Sequence, residues 1–425
     1  MCTFAVVKRL NSHISVIMIA AFLTIAAIFS GSNAKAQPLS NDSLEVSLLT
    51  CQPNQHIYGL YGHTALRLHD LRTGADWSFN YGVFNFEKPF FVLRFLFGLT
   101  DYELGAVPMD IFCDEYKRMG CQVTEQIINL TSEEKNKLLY SINENYKPEN
   151  RIYRYNYFYD NCTTRARDIL ENAIIDGRIE YSTEHQVDSQ KKSYRQMIHE
   201  HTIQHPWAAV GNDLCLGVKA DMSTTWREQQ FLPYNLMNDF DNALIISANG
   251  QQRPLVSKKR ILLQGRPQTI VSEFPLTPLQ CSLCLLIITV IITLAEIKKR
   301  KSIIIYDVIL MSIQGLVGII ITAMLFSEHP TTSTNLQALI LNPLPIFFIY
   351  QVARRRTTNY WRIAVILTVI CLIGGFIQDY AEGIIIVALC LLIRELMHLF
   401  VFPKLGILDY NKTSLTSKKQ KNNEI

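Results

Sequence analysis

Hydrophobic residues are unevenly distributed along this 425-residue chain, and their spacing changes near residue 280. Beyond Gln280 the chain contains five closely spaced apolar runs, each of roughly the twenty residues that a membrane-spanning helix requires. The runs are Cys281–Ile297, Ile303–Phe326, Leu336–Ala353, Trp361–Ile377 and Ile384–Phe402. Residues 280–403 are therefore predicted to form a five-helix transmembrane bundle. Pro343 and Pro345 interrupt the third run, and such a break is tolerated at membrane depth where it lines a protein cavity.

Basic residues between these runs alternate from one side of the membrane to the other. Lys298–Lys301, Arg354–Arg356 and the lysines from Lys404 onward follow the first, third and fifth runs. Ser327–Asn335 and Gln378–Gly383, after the second and fourth runs, contain no lysine or arginine. Because basic loops remain in the cytoplasm, residues 404–425 are predicted to form a basic cytoplasmic tail and residues 37–279 to lie outside.

The N-terminus gives an independent indication of export. Lys8 and Arg9 precede an apolar stretch from Ile14 to Phe29, and the small residues Ala34 and Ala36 follow it. This order is typical of a secretory signal peptide, here residues 1–36. An uncleaved anchor is the alternative, and it also exports the segment that follows.

Three short segments of the exported half have the pattern of β-strands. Leu44–Cys51 is apolar, Tyr61–Leu68 contains His63 near its start, and Trp77–Gly82 alternates aromatic with polar residues. A hairpin centred near Leu71 and Arg72 would place His63 opposite Asn80.

A helix start carries the most reactive side chain of the exported half. Residues 155–161 alternate aromatic with polar residues, Asn161 is a favoured N-cap, and apolar residues from Ala166 to Ile174 recur at helical spacing. Cys162 is therefore predicted to open a helix, where backbone N–H groups and the macrodipole favour the nucleophilic thiolate. A histidine that activates a thiol needs a third group to orient it, and Asn80 is suited to this role. The alternative is a small buried cysteine without chemistry.

Several other features leave alternatives open. Phe84–Leu99 contains six phenylalanines and is consistent either with an interfacial segment that admits acyl chains or with a core helix. The polar outer loop from His329 to Asn335, with Asn342 beyond it, suits a lipid headgroup or an ordinary loop cap. Arg394 and Glu395 lie inside the fifth run, where ionisable residues are functional candidates unless they pair with each other.

Composition removes some classes of function. The net charge of +4 is nearly balanced, which argues against a nucleic-acid partner. His201 and His205 have a spacing that metals use, but no matching cysteine or carboxylate pattern accompanies them, so neither a metal nor a cofactor is predicted.

Five cysteines fall in the exported part, and an odd number leaves at least one thiol unpaired. They are Cys51, Cys113, Cys121, Cys162 and Cys215. A disulfide between Cys113 and Cys121 is one open pairing.

The order of these motifs resembles a known fold. A histidine strand, a polar residue on the next strand and an Asn-Cys helix start about a hundred residues later resemble the circularly permuted NlpC-type papain-like fold of the lecithin:retinol acyltransferase group. More closely, five motifs resemble the exported domain of the Bacteroidota-type lipoprotein N-acyltransferases, called Lnb. They are Leu48–Cys51, Gly62–Arg67, Asn80–Gly82, Tyr159–Thr164 and Phe231–Pro233. His329-Pro330 and Asn342-Pro343 are similar to the outer loop of the same family, so the resemblance extends over nearly the whole mature chain.

The resemblance implies an α+β protein. Residues 37–279 would form a periplasmic thiol acyltransferase-like domain with a permuted papain-like fold and a helical lobe, followed by the five-helix bundle in the inner membrane. Cys162, His63 and Asn80 would be catalytic, transferring an acyl chain from a phospholipid through a thioester to the α-amine of a diacylated lipoprotein. Candidate substrate-binding residues are Tyr159, Asn161, Arg165, His329, Asn335 and Asn342. The alternatives are an NlpC-type cysteine peptidase or amidase, a phospholipase, and a non-catalytic membrane assembly factor.

Overall fold

The computed structural model describes residues 43–84, 89–182, 191–267, 274–356 and 358–407. The predicted signal peptide and all but the first residues of the predicted cytoplasmic tail lie outside the described residues. What is described is an exported part that combines helices with antiparallel sheets, followed by a helical membrane part.

The exported part is built on a seven-stranded sheet with the order β10-β5-β1-β2-β3-β4-β6, in which every pair is antiparallel. Its strands are β1 Leu44–Cys51, β2 His63–Asp70, β3 Asp76–Val83, β4 Asp101–Pro108, β5 Val123–Ile128, β6 Ile152–Arg154 and β10 Val256–Leu263. A smaller sheet contains β7 Gly177–Glu180, β8 Leu244–Ser247 and β9 Gln252–Pro254. The three strands predicted from the sequence are confirmed as β1, β2 and β3.

The β2–β3 hairpin is centred one residue later than the sequence predicted. Leu66 pairs with Phe79 and Leu68 with Trp77, so the predicted pairing of His63 directly opposite Asn80 is wrong. The reason is the turn, where the carboxylate of Asp70 accepts hydrogen bonds from the backbone N–H and the side chain of the two residues at its centre.

Eight α-helices lie within the described residues of the exported part. They are α1 Phe91–Leu96, α2 Met109–Met119, α3 Ser132–Tyr146, α4 Cys162–Ala173, α5 Tyr194–Thr202, α6 Pro206–Cys215, α7 Trp226–Gln229 and α8 Pro233–Asp241, with 3₁₀ turns at Ile57–Gly59 and Val218–Asp221. The apolar face of α4, including Ala166 and Leu170, packs against the sheet in the main core, while α5 and the chain around Phe231 form a second core in the helical lobe. All five exported cysteines are free thiols, so the Cys113–Cys121 disulfide is not formed.

The membrane part contains, within the described residues, four segments long and apolar enough to cross a bilayer. These are Pro278–Lys299 (α9), Ile304–Leu325 (α10), Leu336–Ala353 and Ile384–Lys404. Tyr360–Gly374 (α12) is a shorter apolar helix. The predicted interruption of the third segment is confirmed, because it consists of 3₁₀ turns at Leu336–Leu339 and Leu344–Phe348 and the short helix α11 Ile349–Ala353. The last segment comprises α13 Ile384–Leu396, a π-helical turn Met397–Val401 and α14 Phe402–Lys404.

Buried charges connect three of these segments. The guanidinium of Arg394 contacts Glu296 of α9 at 2.5 Å and Asp307 of α10 at 2.7 Å, and His398 also contacts Asp307 at 2.8 Å. Glu395 instead accepts a hydrogen bond from Thr368 of α12. Arg394 and Glu395 therefore do not pair with each other, because adjacent residues of a helix point in different directions.

Three buried side-chain amides join the membrane part to the exported part. Asn335, Gln337 and Gln378 donate hydrogen bonds of 2.7, 2.8 and 3.0 Å to the backbone carbonyls of Leu214, Asp213 and Leu216, respectively. These carbonyls lie at the end of α6, where a helix has no internal donors left for them. We call this set of three residues the amide lock. Because its members are buried, it attaches the end of α6 firmly to the membrane part.

Candidate active site

The first turn of α4 positions Cys162. Asn161 is the N-cap, and its Oδ1 accepts hydrogen bonds of 2.9 Å from the backbone N–H groups of Thr163 and Thr164. Its amide nitrogen donates to the backbone carbonyls of Tyr157 and Phe231, both at 2.9 Å. The predicted helix start at Cys162 is therefore confirmed, and the buried Asn161 fixes it between the sheet and the lobe.

The helix enters the sheet where β2 and β3 separate. Their ladder extends from Leu66 to His69 on β2, and β3 is irregular between Asn80 and Val83. Thr64 Oγ1 of β2 lies 3.0 Å from Thr163 Oγ1 and holds the first turn of α4 in this gap. Gly82 has a φ of +90°, and the position that a Cβ would take there is 3.8 Å from the Cβ of Cys162.

His63 and Asn80 lie on the two separating strands and face each other through their side chains. His63 Nε2 is 3.1 Å from Asn80 Oδ1, and Asn80 Nδ2 donates to the hydroxyl and the carbonyl oxygen of Ser78 at 3.2 and 3.4 Å. Because Ser78 orients the amide, Nε2 of the histidine is the donor and Nδ1 is available to the Cys162 thiol. His63 and Cys162 are joined by a hydrogen bond.

Charge stabilises the ionised form of this pair. Burial opposes ionisation of Cys162, but the charge and hydrogen bond of His63, together with the backbone N–H of Thr64, lower the pKa of the thiol below its usual value. Burial likewise disfavours the imidazolium, yet attraction to Cys162 and the hydrogen bonds to Cys162 and Asn80 raise the pKa of His63. Both shifts move the pair toward the thiolate and the imidazolium, and the thiolate is the nucleophilic state of a cysteine.

Several residues that shape this site had not been assigned an individual role from the sequence. Thr64 and Thr163 hold the helix against the strand, Ser78 orients Asn80, and Gly82 leaves space beside Cys162. Only Ser78 had a usable signal, because it lies two residues before Asn80 and therefore on the same face of a strand.

Two of the candidate substrate-binding residues near Cys162 have structural partners. Asn161 is engaged as the N-cap, and Arg165 pairs with both carboxylate oxygens of Asp160 at 2.5 and 2.7 Å. The Arg165 guanidinium also lies 3.4 Å from the ring centre of Tyr153. Tyr159 is 37% exposed and remains accessible.

The other three candidates lie in the membrane part. His329 Nε2 is 3.0 Å from the carbonyl oxygen of Phe95, and Asn335 belongs to the amide lock. Asn342 donates to the carbonyl of Leu339 and accepts from the N–H of Leu344, at the break in the third segment. A role of any of them in substrate binding stays a prediction.

One short strand connects the site with the outer loop of the membrane part. Arg154 of β6 donates to Glu328 at 3.1 Å, just beyond the end of α10. Its neighbours Tyr153 and Tyr155 point to the opposite side, because successive residues of a strand alternate. Both lie beside Gly82, where Tyr155 Cε2 and Tyr153 Oη are 3.4 and 4.0 Å from the Cβ position. The thiol and the membrane loop therefore lie on the two sides of the same strand.

The segment Phe84–Leu99, which we call the Phe-rich segment, lies at this same boundary. Phe90, Leu93 and Phe95 are 76%, 54% and 50% exposed, so the core-helix interpretation is wrong for the side chains that are described. The backbone carbonyl of Phe97 accepts a hydrogen bond from Glu328, and the ring of Phe95 lies against His329. The segment therefore presents apolar side chains beside the outer end of α10.

Comparison with known proteins gives a consistent result. Residues 32–200 match the family model described as the Lnb N-terminal periplasmic domain, and residues 269–404 match the model described as the Lnb transmembrane domain. A search of curated proteins and a search of solved structures each found no match. The two family domains follow each other in the predicted order and indicate a membrane-embedded protein of the inner membrane with its N-terminal domain in the periplasm. The chain belongs to the Lnb family.

Proposed function

We propose that this protein is a lipoprotein N-acyltransferase that moves an acyl chain from a membrane phospholipid to the α-amine of the diacylglyceryl-cysteine of bacterial lipoproteins. The observation that carries the proposal is the position of the Cys162–His63 pair, one strand away from the outer loop of the membrane part. Both substrates are anchored in the bilayer, so a nucleophile held at the membrane surface meets them already oriented.

In the first half-reaction the thiolate of Cys162 attacks an ester carbonyl of the phospholipid. The tetrahedral intermediate collapses by breaking the bond from carbon to the glycerol oxygen, which takes a proton from the His63 imidazolium and leaves as a lysophospholipid. Asn80 keeps the ring oriented for this transfer. The backbone N–H of Cys162, at the positive end of α4, is suited to stabilise the oxyanion of the intermediate.

In the second half-reaction the neutral α-amine of the lipoprotein attacks the thioester carbonyl. His63, now neutral, accepts the proton of the amine, an amide bond forms and the thiolate of Cys162 is released. An α-amine has a pKa of about 8, so a useful fraction is neutral at physiological pH. The products are a triacylated lipoprotein and the original ion pair.

The topology proposed with this function retains five spans. Helix α12, of 15 residues, is about 22 Å long and crosses most of a hydrocarbon core of about 30 Å. With α12 as the fourth span, the C-terminus lies in the cytoplasm and Cys162 in the periplasm. We also propose that the strand carrying His63 and the helix opened by Cys162 correspond to the permuted papain-like arrangement.

The proposal is tested by reconstituting the full chain in phospholipid vesicles with a diacylated lipoprotein. Cys162→Ala should abolish N-acylation, measured by mass spectrometry of the lipoprotein N-terminus, and should abolish a hydroxylamine-sensitive acyl adduct formed from labelled phospholipid. Cys215→Ala, which removes another free exported thiol, should leave both unchanged.

Acylation at the wild-type rate in the Cys162→Ala variant would refute the mechanism. Release of free fatty acid by the wild-type protein, with no acylated lipoprotein, would instead identify a phospholipase.

A further inference from the structure

We propose that Phe84, Tyr102 and Tyr155 form a binding surface for the acyl chain carried by Cys162, and we call these three residues the aromatic wall. The inference rests on the proposed function and specifies how the same site recognises its donor. The ligand is the hydrocarbon chain of the phospholipid, bound along the wall while its carbonyl is attached to the thiol.

The wall begins at the nucleophile and continues outward without a gap. Tyr155 Cε2 and the Cβ of Cys162 both border the space that Gly82 leaves open, at 3.4 and 3.8 Å from the position that a Cβ would take there. The ring of Tyr155 stacks on Tyr102 with centroids 4.3 Å apart, and Tyr102 contacts Phe84 at 5.2 Å. The three rings therefore form a continuous row that starts beside the thiol.

The outer end of the wall reaches exposed apolar surface. Phe84 contacts Tyr58, with centroids 6.3 Å apart, and Tyr58 is 64% exposed. Val83, which precedes Phe84 in the chain, is also exposed, whereas the three wall residues are each partly buried. A chain that leaves Cys162 along the wall therefore arrives at the exposed apolar surface formed by Tyr58 and Val83.

The chemistry of the wall suits hydrocarbon. All three side chains are aromatic, and burial raises the pKa of Tyr102 to about 12 and that of Tyr155 well above its usual value, so both phenols stay neutral. The charges adjacent to the two tyrosines in sequence are Asp101, Glu103 and Arg154, and each has a partner of opposite charge. Arg154 pairs with Asp101 at 3.3 Å, and Arg151 pairs with Glu103 at 3.4 Å. A surface of this kind offers a headgroup or a peptide no charged partner, while methylene groups gain by leaving water.

If the wall binds the acyl chain, kcat/KM for formation of the acyl-enzyme should depend on the length of that chain. Each methylene that gains contact should raise kcat/KM for formation of the acyl-enzyme by up to about fourfold, the factor that corresponds to its full burial. With wild-type protein in mixed micelles, kcat/KM should therefore rise from butanoyl to hexadecanoyl donors that share one headgroup.

The decisive variant is Tyr102→Ala, which removes the middle ring. It should lower kcat/KM for the hexadecanoyl donor by about tenfold or more and change the butanoyl rate by less than about twofold. Phe84→Ala should lower the rate only for the longer chains, because its ring is farther from the thiol. Tyr102→Phe should behave as wild type, since it keeps the ring face. Tyr140→Ala, which removes an exposed aromatic residue of α3, is the matched control and should change neither rate.

The ratio of the two donor rates separates the possible outcomes. The butanoyl rate reports an intact site in each preparation, so a misfolded variant is recognised by loss of both rates. If Tyr102→Ala is misfolded, the ratio of the two donor rates in Phe84→Ala tests the inference in its place. A folded Tyr102→Ala variant with an unchanged ratio would overturn the inference, as would a Tyr102→Phe variant as defective as Tyr102→Ala. Absence of acyl transfer from every donor to the wild-type protein would refute the proposed function instead.

Discussion

Replacing Asn80 with alanine removes the acceptor that orients the imidazole of His63. The hydrogen bond between Asn80 Oδ1 and His63 Nε2 is 3.1 Å long, and its donor carries a positive charge while Cys162 is a thiolate. A hydrogen bond to a charged group contributes about 1.5–3 kcal/mol. Because each 1.36 kcal/mol changes a rate tenfold, Asn80→Ala should slow formation of the acyl-enzyme by about 10- to 150-fold.

The assay is single-turnover formation of the thioester from labelled phospholipid, measured across a range of pH. Asn80 raises the pKa of His63, so Asn80→Ala should move the fall in rate on the alkaline side to lower pH, where the imidazolium is lost sooner. Asn80→Asp keeps an acceptor and adds a negative charge, and it should move the same fall to higher pH.

Ser78→Ala is the matched control, because it removes a group that orients the Asn80 amide but leaves the contact with His63 in place. Its effect should be several times smaller than that of Asn80→Ala. An Asn80→Ala variant with the rate and pH profile of the wild type would show that Asn80 does not support the histidine, and the assignment of this third residue would fail.

Three further predictions follow from described contacts. Alkylation of Cys162 by iodoacetamide should persist to lower pH than that of an ordinary cysteine, because the pKa of its thiol is lowered, and His63→Ala should move the profile to higher pH, because burial then acts without the opposing charge. Gly82→Ala, at a φ of +90°, should lower the free energy of unfolding by about 1–3 kcal/mol and also reduce acyl transfer, whereas Gly74→Ala, at +75° in open space, should reduce stability alone in thermal unfolding. Arg394→Met should destabilise the detergent-solubilised protein by about 3–5 kcal/mol in the same measurement, because the buried carboxylate of Glu296 loses its cationic partner and that of Asp307 keeps only His398. Wild-type behaviour in any of these experiments would contradict the corresponding contact.

Local signals in the sequence were sufficient to predict the strands β1, β2 and β3 and the start of α4, whereas long-range contacts could not be predicted from them. The start of α4 at Cys162 followed from the favoured N-cap residue Asn161 and from the helical spacing of the apolar residues after it. The register of the β2–β3 hairpin could not be predicted to the residue, since the side chain of Asp70 decides where the turn is centred.

The family resemblance implied the pairing of His63 with Cys162, but other contacts between distant parts of the chain had no sequence signal. The partners of Arg394 come from two helices about a hundred residues earlier, and Arg154 meets Glu328 across 174 positions. Asn335 was predicted to bind substrate from its place in a polar loop, and the structure shows it holding a carbonyl of α6. Polar residues at a membrane surface serve both purposes, and only the fold identifies their partners.

The amide lock has a consequence for how the two lipids reach the thiol. Since α6 is fastened by Asn335, Gln337 and Gln378, the exported part is held against the membrane part and is not free to move away from the bilayer. Under the proposed function, phospholipid and lipoprotein must therefore arrive one after the other by lateral diffusion at a fixed height. Turnover should accordingly depend on the fluidity of the surrounding lipid.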